Sequence, residues 1–316
     1  MTYDTLKYFE SEIKEILDDV LDAVKSKSFP DYCLLLAHAG YQYENEGTFL
    51  SPYVIHSQLE INQDYTRQKF LVFYLNQYAT LLKESIFMDD EYKEYDLNIQ
   101  MMIYAQIWES HLFLKTLKRI ADILNGKPYE WKIPFEQATR KDPSKIISVP
   151  KAKFIQEQIL APMSTGHQKM SNLLNSLYDS QLRNDFAHAS YYIDFSTGKI
   201  LSQDSERYKT NQSTSFLDWE DKFIYTVMLS YHLSKAIHER MGNFLRDYPD
   251  IKEVEVKWPS YKEPGKIHNL MLYPKQLERG VEFCYRKKEL FAQTPSQRHV
   301  DSYPLWIAKD RTSLSF

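Results

Sequence analysis

Leu6, Phe9, Ile13, Ile16, Val20 and Val24 recur at steps of three and four, while Glu12, Glu15, Asp19 and Asp22 occupy the other face. That period predicts an amphipathic opening helix. Phe29-Pro30-Asp31 interrupts it, with Asp31 available near the start of a second helix through Cys33-Leu34-Leu35-Leu36. A loop around Gly47 to Pro52 leads to a third helical stretch, 64–87, carrying Phe70, Phe73, Tyr74, Tyr78, Leu81 and Leu82. From Leu97 onward Ile103, Ile107, Ser110, Leu114, Leu117, Ala121 and Leu124 keep the spacing without a miss. This predicts one buried-face helix of about seven turns. Asn125-Gly126, with Pro128 just beyond, supplies its stop.

Residues 127–150, rich in Pro, Lys and Arg, read as a connecting loop. Helical spacing returns over 153–178, interrupted at Ala161-Pro162, where the helix is expected to kink or begin again. Its second half places Met163, Gly166, Met170, Leu173 and Leu177 on one stripe. After residue 190 the period changes to two, and Tyr192 to Phe195, Ser196-Thr197-Gly198 and Lys199 to Leu201 suggest a short hairpin. Polar residues 202–215 read as a loop. A last long helix, 217–246, carries Trp219, Phe223, Val227, Ser230, Ser234, Ile237, Met241 and Phe244 on one face. The fold class that follows is all-α, a bundle of long antiparallel helices with a small β excursion. The acidic run from Asp89 to Asp96 reads equally as a solvated helix end or as a boundary, and as a boundary it divides the chain into an N-terminal helical region (1–95), a helical bundle (96–249) and, past Pro249, a mostly irregular extension (250–316).

Composition narrows the function classes. Only 8 of 316 residues are glycine, which disfavours a doubly wound sheet with glycine phosphate turns. The formal net charge is −4, so any contact with nucleic acid must be local. The 24 tyrosines can stack on bases, although a helical core also consumes aromatic rings. Cys33 and Cys284 have no metal or redox spacing, and such sparse usage suits a reducing compartment. No signal pattern and no apolar run of membrane length is visible, so a cytoplasmic protein with no membrane partner is expected. His232 and His238 lie six apart and share no helical face, and no metal site is expected from them. No phosphate-binding glycine loop and no Gly-x-Ser-x-Gly elbow stands in the chain, and no cofactor is expected.

Chemistry concentrates at residues 182–194, Leu-Arg-Asn-Asp-Phe-Ala-His-Ala-Ser-Tyr-Tyr-Ile-Asp. Arg183 and His188 are five apart, and Asn184 follows the arginine directly. On a helix Asn184 and His188 share a face, while the long Arg183 fork can wrap toward the same patch. Asp179 or Ser180 can cap the helix start, and the positive helix end would then favour a bound phosphate. Histidine can act as acid or base near neutral pH, and arginine presents a charged planar fork to phosphate oxygens. Asparagine can hold the imidazole or the phosphate in place. The plain structural reading stands beside this: Arg183 pairs with an acidic neighbour, Asn184 is exposed and His188 is a satisfied histidine. Asp185, adjacent in sequence, could itself engage Arg183.

This segment, with its small neighbours Ala187 and Ala189 and the flanking helical stretches, resembles the HEPN superfamily over roughly residues 97–246. The resemblance implies an all-helical fold and a metal-independent endoribonuclease with a toxin or defence role. His188 would be its acid/base, Arg183 its phosphorane stabiliser and Asn184 its positioning residue. It also implies a homodimer, since one histidine is a poor acid and base at once, and RNA and a protein antitoxin or regulator as partners. In the toxin branch that is adenylylated, a tyrosine falls two residues after the histidine; Ser190 stands there, so that regulation is not carried over. The alternative is a catalytically silent HEPN-like dimerisation or nucleotide- or protein-binding module. Arg140, Lys141 and Lys145, with Lys151 and Lys153, could guide an RNA backbone, and Tyr191 and Tyr192 could stack on bases. A solvated loop, and an alternating strand with one tyrosine inward, are the bland readings of those two groups.

Overall fold

Proline chemistry and side-chain caps decide where the helices begin and end. The computed structural model describes residues 1–40, 54–57, 60–84, 90–131, 133–138, 146–204, 209–248, 253–257, 267–272, 282–286, 289–293 and 306–308. Helix α1 is Tyr3–Lys27 and α2 is Phe29–Leu36. Between them Ser28 is the N-cap, its hydroxyl accepting from the Asp31 amide at 3.4 Å, with Pro30 in the first turn where no N–H is needed. Strands β1 (Ala39–Gly40) and β2 (Val54–Ser57) precede α3 (Glu60–Glu84) and α4 (Asp90–Glu109). The sequence loop at 47–52 lies outside the described residues.

The long helix expected from Leu97 to Leu124 is two helices. Helix α4 ends at Glu109, and α5 (His111–Leu124) starts after Ser110. Ser110 keeps the apolar spacing and is 4 % exposed, but its hydroxyl accepts from the Phe113 amide as an N-cap. The expected connector 127–150 contains two short paired strands, β3 (Glu136–Ala138) and β4 (Ile146–Ser148).

Helix α6 (Lys151–Ile155) runs through a π turn, Gln156–Leu160, into α7 (Ala161–Gly166). Pro162 therefore does not break the helix. It has no N–H to donate and its ring crowds the preceding turn, and the wider π turn takes up the mismatch. The break falls at His167, whose extended backbone (φ −158°) and ring Nδ1 cap α8 (Gln168–Leu177). Helix α9 (Ser180–Ala187) follows at once.

The β excursion after α9 comprises β5 (Tyr191–Asp194), β6 (Lys199–Asp204) and β7 (Lys209–Ser215) in one antiparallel sheet. Its first turn is held by Asp194, which accepts from Ser196 and Thr197, and Gly198 takes φ +65°. Strand β7 corrects the expected loop at 202–215: the hydroxyl-rich Lys209–Ser215 pairs with β6 from Lys199↔Ser215 to Asp204↔Lys209, with a register shift between Ser202 and Gln203, and no apolar alternation announces it. Helix α10 (Phe216–Asp247) closes the helical set. Strands β8 (Glu253–Lys257), β9 (Ile267–Leu272), β10 (Glu282–Arg286), β11 (Glu289–Gln293) and β12 (Trp306–Ala308) lie in the C-terminal stretch read as mostly irregular. The fold is mostly helical, with the small three-stranded sheet directly after the motif.

Contacts group the chain into two units, 1–22 with 60–125 and 135–234, and 23–59 with 126–134 and 235–316. The first is a helical core in which Ile13, Leu17 and Val20 of α1, Tyr104 and Ile107 of α4, Leu114 and Leu117 of α5, Met163, Met170 and Leu174, and Trp219, Phe223 and Val227 of α10 are at most 1 % exposed. Gly166 lies against the end of α5 so closely that a β-carbon there would stand 2.8 Å from Leu124 Cβ. In the second unit β1, β2, β12, β9 and β8 form an antiparallel sheet in that order, and β10 and β11 form a separate hairpin. There the Asp31 carboxylate accepts from the Tyr129 amide at 2.8 Å.

Candidate functional site

The motif occupies α9, and its position follows from a few groups. The Asp179 carboxylate caps the helix, accepting from the Gln181 and Leu182 amides at 2.9 and 3.0 Å. The Tyr104 hydroxyl joins α8 to α9, donating to the Leu177 carbonyl at 2.9 Å and accepting from the Asp179 amide at 3.0 Å. Phe186 anchors the middle of α9, edge-on to Trp219, Tyr191 and Tyr104 at 4.9, 5.4 and 6.0 Å between ring centres.

At the other end, Ser190 N–H reaches the Asp185 carbonyl at 2.8 Å and Ala189 N–H the Phe186 carbonyl at 3.4 Å. This is a Schellman closure with Ala189 at φ +52°, the position glycine usually fills. His188 is thus the C-cap residue of α9, exposed on the surface. Its amide still bonds the Asn184 carbonyl at 2.9 Å, so the helical step from 184 to 188 is intact. The helix N-terminus is occupied by the Asp179 carboxylate and lies two turns from His188, so its positive end is not where the histidine stands.

Arg183 is the best-held member. Its Nη1 donates to Glu109 Oε1 at 2.6 Å and its Nη2 to Asn184 Oδ1 at 3.0 Å, with the side chain 12 % exposed. Asn184 therefore positions the arginine fork, whereas the sequence left open whether it held the imidazole or the phosphate. Asp185 does not compete for Arg183: it is buried, and its Oδ1 accepts from Gln181 at 2.9 Å. The partner carboxylate is Glu109, 74 positions away and placed at the helix end that Ser110 creates. A carboxylate at a helix C-terminus sits in the negative end of the macrodipole, so the guanidinium relieves an unfavourable placement.

A second set of groups surrounds the Arg183–Glu109 pair. Lys151 Nζ lies 3.4 Å from the centre of the Phe135 ring, on which His111 stacks at 4.3 Å. Burial and the Arg183 and Lys115 charges lower the Lys151 ammonium to about 8, with Glu109 opposing them. Tyr178, edge-on to Trp108 at 4.9 Å, has its hydroxyl raised by burial and carries the influence of both Arg183 and Glu109. The sequence reading placed Lys151 in a cationic run but had no signal for Glu109 or Tyr178, which join only through long-range packing.

The remaining candidates separate cleanly. Tyr191 turns inward, donates to Asn98 Oδ1 at 2.6 Å and is raised by burial, whereas Tyr192 is 53 % exposed. Lys153 is exposed at the start of α6. Arg140, Lys141 and Lys145 lie outside the described residues. A groove of about 690 Å³ in the first unit, lined by Tyr8, Glu12, Ile16, Lys169, Leu173 and Tyr225 among others, contains no motif residue. No helix among the described residues is long and apolar enough to cross a membrane. No family model, no curated protein and no solved structure matches the chain.

Proposed function

We propose that the protein is a metal-independent endoribonuclease of HEPN type, cytoplasmic, acting in a toxin or defence role. The observation that carries this reading is that α9 bears both an exposed His188 at its C-cap and an Arg183 whose fork is preset by Asn184. In the proposed reaction a base takes the proton of a ribose 2′-hydroxyl, and the 2′-oxygen attacks the adjacent phosphorus. The P–O5′ bond breaks, and the leaving 5′-oxygen takes a proton from an acid, giving a 2′,3′-cyclic phosphate and a 5′-hydroxyl. His188 supplies acid/base chemistry and Arg183 stabilises the charge that builds on the phosphorane.

One histidine cannot hold and release the proton at once, so the reading includes a homodimer in which a second motif completes the cleft. Tyr92, Tyr95, Ile99 and Met102 support it. They recur at three- and four-residue steps along α4, the helix that ends in Glu109, and are 40 to 66 % exposed. The Arg183–Glu109 ion pair favours a second reading, a catalytically silent nucleotide- or protein-binding module, because it occupies the fork that a phosphorane needs.

The test compares wild type with His188→Ala and Arg183→Ala on a mixed RNA pool in EDTA, at matched dimer content. The nuclease reading expects cleavage by wild type and a loss of about 10²-fold or more in each variant. Equal silence of all three proteins on every RNA would leave the binding module; equal cleavage by all three would remove the site.

A further inference from the structure

Three donors near the Arg183–Glu109 ion pair have no acceptor among the described residues. Lys151 Nζ, Tyr178 Oη and Arg183 Nε are each buried and without a hydrogen-bond partner among the described residues. Lysine and arginine can only donate, and buried donors are normally paired. The three converge on one stretch of chain, 108–111: Tyr178 packs on Trp108 at 4.9 Å, Arg183 bonds Glu109 at 2.6 Å, and Lys151 lies 3.4 Å from the centre of the Phe135 ring on which His111 stacks at 4.3 Å. The acceptor seen there is the Glu109 carboxylate, held by Arg183 Nη1 at 2.6 Å and 44 % exposed. One carboxylate thus faces the Arg183 and Lys151 cations, with the Lys115 charge also bearing on Lys151.

We propose that Lys151, Tyr178 and Arg183 form an oxyanion site for a phosphate group, in which the Glu109 carboxylate is a displaceable stand-in for the ligand. A tetrahedral phosphate offers several acceptor oxygens to a guanidinium, an ammonium and a hydroxyl at once, more than the single Glu109 carboxylate engages. Glu109 is suited to leave, being the most exposed of these groups and placed at the negative end of α4. Lys151 and Tyr178 become ligand-binding residues, and Glu109 becomes an internal competitor that keeps Arg183 occupied until phosphate arrives. The inference deepens the ribonuclease reading and rests on it only for naming the phosphate as that of RNA.

The experiment titrates inorganic phosphate into wild type, Lys151→Met, Tyr178→Phe and Glu109→Gln at constant ionic strength, followed by NMR of ¹³C-methylated lysines. Lys199→Met, at an exposed position at the start of β6, is the control. The site predicts saturable binding that moves the Lys151 resonance. It predicts affinity about tenfold weaker in Lys151→Met, weaker in Tyr178→Phe, tighter in Glu109→Gln and unchanged in the control. Denaturation midpoints at or above wild type for Lys151→Met establish that this variant folds. Absence of saturation, or wild-type affinity in both Lys151→Met and Tyr178→Phe, overturns the site. A 2′-O-methyl RNA, which cannot be cleaved through its 2′-oxygen, is then used as competitor. Displacement of phosphate identifies the ligand as an RNA phosphate; binding of phosphate without competition keeps the oxyanion site and removes RNA as its source.

Discussion

Replacing Tyr104 by Phe tests how α9 is held. The ring is retained, so contacts with Trp219, Phe186 and Trp108 at centroid distances of 5.3, 6.0 and 6.4 Å survive, and only the hydroxyl is lost. That hydroxyl is the hydrogen-bond partner of both the Leu177 carbonyl at 2.9 Å and the Asp179 amide at 3.0 Å, on a side chain that is 0 % exposed. Each buried group left without a partner costs about 1–3 kcal/mol, and the two share one site, so a total of about 2–4 kcal/mol is expected. Urea denaturation reads this as a lower midpoint with an unchanged slope, and for units of 150–250 residues it corresponds to a fall in Tm of about 2–4 °C per kcal/mol. Tyr192→Phe, on an exposed ring of β5, serves as the control and should stay within about 0.5 kcal/mol. A Tyr104→Phe loss under about 0.5 kcal/mol would show that the hydroxyl bridge does not hold the corner between α8 and α9.

Three further perturbations follow from the same geometry. Gly166→Ala places a β-carbon 2.8 Å from Leu124 Cβ and 3.1 Å from Asn125 Nδ2, so a thermal melt should show a loss of about 1–3 kcal/mol instead of the gain that alanine normally brings to a helix. Ala189→Gly removes the left-handed strain at φ +52°; the relief of about 1–2 kcal/mol exceeds the added chain entropy of about 0.5–1 kcal/mol, and a small net stabilisation should appear in the denaturation midpoint. Lys151 releases its proton near 8 in the folded state and near 10.5 when unfolded, so between those values the unfolded chain binds more protons and the contribution of Lys151 to stability rises with pH. Lys151→Met should therefore be more stable than wild type at pH 7, with the difference shrinking toward pH 10; a difference independent of pH contradicts the assigned environment.

The helical class, the start of α9 and the hairpin after it were legible because local chemistry decides them, whereas the end of α9 was not, since Ala189 stands where a glycine would have signalled it. Asp179 caps as its side chain allows, Gly198 supplies a positive φ, and the face of α10 from Trp219 to Phe244 keeps its spacing. Ser110 misled because a buried cap and a core position look alike within a stripe; only the loss of helical continuity distinguishes them. That error mattered, since the break leaves Glu109 at a helix end where Arg183 meets it. Lys151, Tyr178 and Glu109 converge from three separate segments, and no spacing along the chain records such a meeting. Strand β7 was hidden for a different reason: its residues are polar, and pairing with β6 carries it.

The product ends left by the wild-type protein on RNA in EDTA test the central claim most directly. Attack by the ribose 2′-oxygen predicts 2′,3′-cyclic phosphates on the upstream fragments and 5′-hydroxyls on the downstream ones, with no cleavage at a nucleotide that carries a 2′-deoxy sugar. Fragments ending in 3′-hydroxyls and 5′-phosphates, or cleavage that persists at a 2′-deoxy position, would contradict the roles given to Arg183 and His188.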